Sequence, residues 1–188
     1  LRPTLHACDR LLGDRAQIAE MTTLIGDLVE LARDDRPRTT IEPIDLAAVT
    51  QQAVTRVKRR AQGLEFDVRT EPWWLVGDAN GLERAVTNLL DNAAKWSPAG
   101  GTVRVHLREG TLMVGDAGPG IDGQDLPHVF ERFYRATSSR TMPGSGLGLS
   151  IVKAVAERHG GVVRAGTGPD GGAGFWFSVP GQSQPLES

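Results

Sequence analysis

The stretch Asn88-Leu89-Leu90-Asp91-Asn92-Ala93-Ala94-Lys95 constrains the fold of this chain more than any other. Turned at about 100° per residue, it forms a helix with three kinds of face. Leu82, Val86, Leu89 and Ala93 line one face, which must be core. Glu83, Thr87 and Ala94 fall on a face that can meet water. Asn88, Asn92 and Lys95 share a third line, at spacings of four and three. A soluble helix requires only the first two faces. A carboxamide offers a neutral oxygen to a hard cation and amide donors to phosphate, and a lysine adds a point charge for phosphate. The third face therefore reads as either a Mg²⁺–triphosphate site or a solvated polar stripe.

Composition bounds the rest. A chain of 188 residues can bury one real core. A net charge of −2 gives no bulk attraction to nucleic acid or to an anionic membrane. The single cysteine, Cys8, excludes an internal disulfide and fits a reducing compartment. No apolar run reaches the roughly 18–20 residues of a membrane span, and no signal peptide opens the chain. The chain starts at Leu1, directly in helix-like sequence, and is expected to be a piece of a longer protein.

Residues 1–35 are helical in pattern. Leu11, Ile18, Met21, Ile25, Leu28 and Ala32 follow heptad spacing, with a gap at Asp14. One such seam needs a partner helix, a second copy of the chain, or the chain's own globular body. His6, flanked by Leu5 and Ala7, reads as an ordinary surface histidine. Charged residues and two prolines mark 34–43 as a linker. Asp45 can cap a helix from Leu46 to about Arg60, whose basic end suits the helix dipole and reads as a solvated face. Alternation at Leu64, Phe66 and Val68 predicts a strand, and Trp73 to Val76 a second. Gly77-Asp78 then turns into the helix described first, which stops near the run Ser97 to Gly101. A β-hairpin over 103–114 follows, turning at Glu109-Gly110. Helix is expected over 122–133, a long polar loop over 134–145, and helix again over 147–159. Val162 to Ala165 and Phe175 to Val179 read as strands. The fold class is an α/β two-layer sandwich, its sheet mixed and mostly antiparallel, with helices on one face.

Three further segments carry candidate chemistry. Asp116, in Asp116-Ala117-Gly118-Pro119-Gly120-Ile121, follows a strand end, where an ionised carboxylate can accept from the exocyclic amine of adenine. Gly118 and Gly120 let backbone pass close to a flat ring, although the segment also fits a plain turn. Gly144-Ser145-Gly146-Leu147-Gly148-Leu149 opens a helix, and helix N-termini bind phosphate. It is neither a Walker A motif nor a dinucleotide fingerprint. In Phe130-Glu131-Arg132-Phe133-Tyr134-Arg135, the two phenylalanines are expected to anchor in the core, leaving Arg135 to reach a phosphate or to lie on the surface.

Together, over about residues 40 to 180, these segments resemble bacterial sensor histidine kinases in order and spacing. Asn88–Lys95 resembles the N box, Asp116–Gly120 the G1 box, Phe130–Arg135 the F box and Gly144–Leu149 the G2 box. Several stretches (Asp91 to Pro98, Phe130 to Arg135, Met142 to Leu149) are similar to actinobacterial kinases of the MprB type, and residues 18–35 resemble the end of the family's second dimerisation helix. The resemblance implies a Bergerat-type ATP-binding fold, shared with gyrase, Hsp90 and MutL. It implies that Asp116 holds the adenine amine, and that Asn92, helped by Asn88, holds Mg²⁺ and phosphate oxygens. Lys95 and Arg135 would contact phosphates, Trp96 and Tyr134 would stand near the nucleotide, and Gly144, Ser145, Gly146, Leu147 and Gly148 would form the hinge of an ATP lid.

The resemblance further implies a division into a dimerisation-hairpin remnant (1–35), a linker (36–43), an ATP-binding catalytic domain (44–180) and a disordered tail (181–188). It implies a homodimeric parent, anchored in the membrane through segments outside this chain, whose cytoplasmic part passes phosphate to a response regulator and binds no nucleic acid. The family's His-Glu/Asp-x-x-Arg-Thr/Ser-Pro box is not matched by Leu5-His6-Ala7-Cys8-Asp9-Arg10. This chain is therefore expected not to autophosphorylate alone. A serine kinase of anti-sigma type and a non-catalytic nucleotide-binding dimerisation module are the alternatives. A gyrase- or MutL-like ATPase would need a carboxylate base where Asn88 stands.

Overall fold

The computed structural model describes residues 40–136 and 144–186. The expectations for the heptad segment, His6 and Cys8 lie outside these residues, as does the middle of the 134–145 loop. Ten elements follow in order: β1 (Ile41–Asp45), α1 (Leu46–Arg60), β2 (Glu65–Thr70), β3 (Trp74–Asp78), α2 (Ala79–Trp96), β4 (Thr102–Arg108), β5 (Thr111–Gly115), α3 (Gly148–Arg158), β6 (Val162–Thr167) and β7 (Ala173–Ser178).

Local chemistry sets the helix ends. Asp45 caps α1 by accepting from the Ala47 N–H at 2.9 Å, and Asp78 caps α2 by accepting from Asn80 at 3.1 Å. Ser97 leaves α2 in extended backbone, as a residue before proline must. The β4–β5 hairpin turns through Glu109 and Gly110, both at positive φ, the two-residue turn that matches strand twist.

Five strands form one sheet in the order β2-β4-β5-β7-β6, with β2 and β4 parallel and the other pairs antiparallel. Alternation assigns the two faces. Val103, Val105, Leu107, Leu112, Val114, Phe175 and Phe177 are buried on one side, under the helices. Arg104, His106, Met113 and Trp176 point to the other and stay partly exposed. Helix α2 lies between α1 and α3 and buries Leu82, Ala85, Val86, Leu89, Leu90 and Ala93. The two-layer sandwich expected from the sequence is the architecture found.

Four local expectations are corrected. Residues 41–43, placed in the linker, belong to β1, which pairs antiparallel with β3 in a separate two-stranded sheet. Ile44 and Leu75 bury their side chains there, and Pro43 is tolerated because a two-stranded sheet is all edge. Segment 122–133 is a chain of turns, not a helix. Its backbone bonds are mostly of the i to i+3 kind, and Pro127 has no N–H to extend them. Phe130 packs edge-on against Phe175, but Phe133, expected beside it in the core, is 57% exposed and sits at φ 63°. Without a helix, a spacing of three no longer puts both rings on one face. The tail from 181 begins in order: Gln182 and Trp74 exchange both backbone hydrogen bonds, at 2.7 and 2.9 Å.

Leu89 is fully buried between α2 and the sheet. Leu89→Ala is expected to destabilise the domain by about 2–5 kcal/mol, read as a lower midpoint in urea with an unchanged slope.

Candidate functional site

The C-terminal half of α2, the loop after β5, the turn chain and the start of α3 enclose one cavity of about 340 Å³. Of the residues singled out from the sequence, Asn88, Asn92, Lys95 and Trp96 line it from α2. Asp116 and Gly120 line it from the β5 loop, and Tyr134 and Arg135 from the end of the turn chain. Gly144, Ser145, Gly146 and Gly148 line it from the approach to α3. Gly118 and Leu147 do not reach it. A Cβ on Gly118 would lie 2.6 Å from the Trp96 carbonyl oxygen, so this glycine lets the β5 loop press against the end of α2. Leu147 is fully buried in the core and anchors the start of α3.

Asp116 is 1% exposed. Its Oδ1 accepts from the backbone N–H groups of Gly118, at 2.9 Å, and Ala173, at 3.0 Å. Its Oδ2 is buried, lacks a hydrogen-bond partner among the described residues, and belongs to a side chain that lines the cavity. Burial pushes the Asp116 carboxyl above its ordinary value, and the two N–H donors pull it partly back. The amide nitrogen of Asn88 is likewise buried without a partner, at the end of the cavity nearer Gly148. A carboxylate oxygen and an amide nitrogen, both buried and without a partner among the described residues, thus belong to side chains that line one cavity, and buried polar groups of this kind are costly unless a ligand meets them.

Positive charge gathers in the same cavity. Burial, and then the neighbouring Arg135, hold Lys95 below the ordinary lysine value. Its Nζ lies 5.5 Å from the centre of the Trp96 ring and close to Gly144, where a Cβ would stand 3.2 Å away. Helix α3 adds a dipole. Whereas α1 and α2 carry aspartate caps, α3 starts at Leu147 with no side-chain cap, and its first residues Gly148 and Leu149 line the cavity. Two cations and an uncapped helix N-terminus make an anion site.

A model of the histidine kinase-, DNA gyrase B-, and HSP90-like ATPases matches residues 77–183. The chain belongs to this family. Within it, the chain falls with the sensor histidine kinases. A solved structure of the mycobacterial sensor histidine kinase MprB is 45% identical, with a TM-score of 0.71 over 77% of this chain and 100% of that one. The ATP-binding domain of PrrB from Mycobacterium tuberculosis is 27% identical, with a TM-score of 0.60 over 76% of this chain and 98% of that one. The signal transduction histidine-protein kinase/phosphatase MprB of Mycolicibacterium paratuberculosis is 52% identical over 179 residues, 90% of this chain and 34% of that protein. This chain therefore spans about a third of the length of the curated relatives it matches. No helix among the described residues is long and apolar enough to cross a membrane.

The structure also brings to the kinase-family cavity residues that sequence reasoning missed. Gly172, from the loop before β7, and Ala173, the first residue of β7, hold Asp116: a Cβ on Gly172 would fall 2.1 Å from the Asp116 carbonyl oxygen, and the Ala173 N–H donates to Oδ1. Backbone donors leave no side-chain signature. The only signal was the close-set glycines 171, 172 and 174. Asp125 accepts from the Tyr134 hydroxyl at 2.5 Å, and both line the cavity wall. Ile121, Val129 and Phe175 supply apolar wall near Asp116.

The raised Asp116 pKa has a stability consequence. Between its unfolded value, near 3.8, and its higher folded value, the folded state holds the proton more tightly. Stability is therefore lost as pH rises through that window. Asp116→Asn keeps an oxygen for Gly118 and Ala173 and removes the buried charge. The ligand-free variant is expected to melt above wild type at neutral pH. The gap should close as pH falls into the window, as followed by thermal denaturation across pH.

Proposed function

We propose that this domain binds ATP with Mg²⁺ and positions the γ-phosphoryl group for transfer to a histidine imidazole on the dimerisation helices of a parent sensor kinase, from which an aspartate of a response regulator takes it. The observation that carries the reading is the buried Oδ2 of Asp116, which has no partner among the described residues and belongs to a side chain that lines the cavity. A carboxylate oxygen at the apolar end of a cavity accepts a hydrogen bond and cannot donate one, which selects the 6-amino group of adenine. The Asn88 amide, Lys95, Arg135 and the α3 N-terminus, which line the same cavity, would then meet the triphosphate.

The residues present fit a magnesium ion. Asn92 and Asn88 are one turn apart on the cavity side of α2 and offer neutral oxygens. When bound, the ion would offset negative charge on the phosphate oxygens. The remaining work falls to the chain itself. Lys95, with its ammonium partly desolvated, binds a phosphate as a point charge. Arg135, which lines the cavity near Lys95, would orient the terminal phosphate for in-line attack. Trp96 and Tyr134 shield the site from water at its sides.

The carboxylates favour transfer to a supplied acceptor over hydrolysis. Four aspartates line the cavity and each is engaged: Asp91 by Arg60, Asp116 by Gly118 and Ala173, Asp122 by the Gln124 N–H, and Asp125 by Tyr134. Asn88 cannot deprotonate water. The base and the nucleophile would come with the acceptor helix, and in the parent protein the membrane anchor and the dimer contacts would come from segments outside this chain.

Calorimetric titration with ATP is expected to show Mg²⁺-dependent binding. Asp116→Asn should weaken it roughly 10- to 100-fold, and Asn92→Ala should remove the Mg²⁺ dependence. Added helical hairpin carrying a histidine box should become phosphorylated from ATP, while the chain alone should not. No binding by a folded wild type would sink the reading.

A further inference from the structure

The open face of the sheet carries an ionic network that the nucleotide site does not touch. Strand register sets Asp67, Arg104, Gly115, Gly174 and Gly166 in one row across β2, β4, β5, β7 and β6. The three glycines leave a bare strip of backbone. The loop between β6 and β7 folds back over it: Pro169 would touch a Cβ on Gly115 at 3.4 Å, and Gly168 packs against Gly174. Asp170, at the loop tip, receives a fork from Arg104, Nε to Oδ2 at 2.5 Å and an Nη to Oδ1 at 2.8 Å. Two parallel bonds fix direction as well as distance. Asp67 stands behind Arg104 at 3.7 Å and is itself bonded by His106 at 3.1 Å and by Arg69.

The other end of this short loop holds the adenine-facing carboxylate. Gly168 N–H donates to the Gly172 carbonyl at 2.8 Å and Gly171 N–H to Gly168 at 3.1 Å, so the loop is one tight unit. Gly172 is pressed against Asp116, and Ala173 donates to its Oδ1. We infer that Arg104 and Asp170, on the face of the sheet away from the cavity, are positioning residues for nucleotide recognition: their fork seats the Gly168–Gly172 loop so that the Ala173 N–H holds Asp116 Oδ1 and leaves Oδ2 for the adenine. The inference rests on the reading of the cavity as an ATP site.

The partners divide the labour by chemistry. A loop with four glycines among residues 168–172 and 174 has wide backbone freedom. The Asp116 N–H, donating to the Ala173 carbonyl at 2.9 Å, ties its last residue to the end of β5, and the fork ties its tip at Asp170. Arg69, on the same face, is mostly exposed and pairs with Asp67 without touching the loop, so it lacks this role.

The test uses the full chain with ATP and Mg²⁺, and Mg²⁺–tripolyphosphate as a competitor for the phosphate end alone. Arg104→Gln and Asp170→Asn are each expected to weaken ATP roughly 3- to 10-fold, with the double variant no weaker than either single, because both act through one contact. Tripolyphosphate competition and the affinity of Arg69→Gln should stay at wild-type values, and the Ala173 amide should exchange faster in both single variants. General loosening of the fold would instead weaken tripolyphosphate equally and add across the double variant, and would overturn the inference. So would wild-type ATP affinity in a folded Asp170→Asn. Failure of the wild type to bind ATP would overturn the cavity reading and this inference with it, whereas unaffected variants of an ATP-binding wild type would overturn this inference alone.

Discussion

One carboxylate, buried and half-satisfied, is the constraint on which the site depends. Asp116 Oδ1 is held by two backbone N–H groups, and Oδ2 is left without a partner among the described residues. Satisfying both oxygens would stabilise the free domain and close the site. Leaving one unpaired costs stability and yields a spare acceptor on a side chain that lines the cavity. The surrounding fold serves this arrangement. Strand β5 delivers Asp116 at its end, Gly118 lets the loop return against α2, and Gly172 lets β7 approach without a side chain between. A functional site that strains the rules obeyed elsewhere is the expected pattern.

The cations of the cavity solve a different problem, that of gathering positive charge without losing the fold. Lys95 and Arg135 lie close enough for each to oppose the other's charge, and Lys95 is partly desolvated besides. The start of α3 has no side-chain cap where the other two helices have aspartates. These features are unfavourable one by one and become favourable together once an anion arrives. A cavity lined by apolar side chains, a spare acceptor and two cations suits an adenine nucleotide in polarity.

Much of this was legible because side-chain identity carried it. The carboxamide–lysine line on α2 was visible because helical periodicity separates it from the leucine face. The Asp116 segment was visible because strand alternation ends there. What escaped was carried by backbone or by contacts distant in sequence. The hold of Ala173 on Asp116 uses an N–H that every residue but proline has. Strand β1 was hidden because Pro43 and its charged surroundings look like linker, and its pairing with β3 is settled only by burial of Ile44 and Leu75. Segment 122–133 has helix-like spacing of Leu126, Val129, Phe130 and Phe133, but Pro127 and competing Asp122 turns win locally. The exposure of Phe133 follows from that one change of backbone.

The central claim is that Asp116 Oδ2 reads the 6-amino group of adenine. The most direct test compares, by calorimetry, the affinity of the chain for ATP and for the analogue whose 6-amino group is replaced by hydrogen. The account predicts that wild type prefers ATP by roughly 10- to 100-fold, and that Asp116→Asn, which keeps the loop contacts, binds the two with nearly equal affinity. Equal binding of both nucleotides by wild type would contradict it.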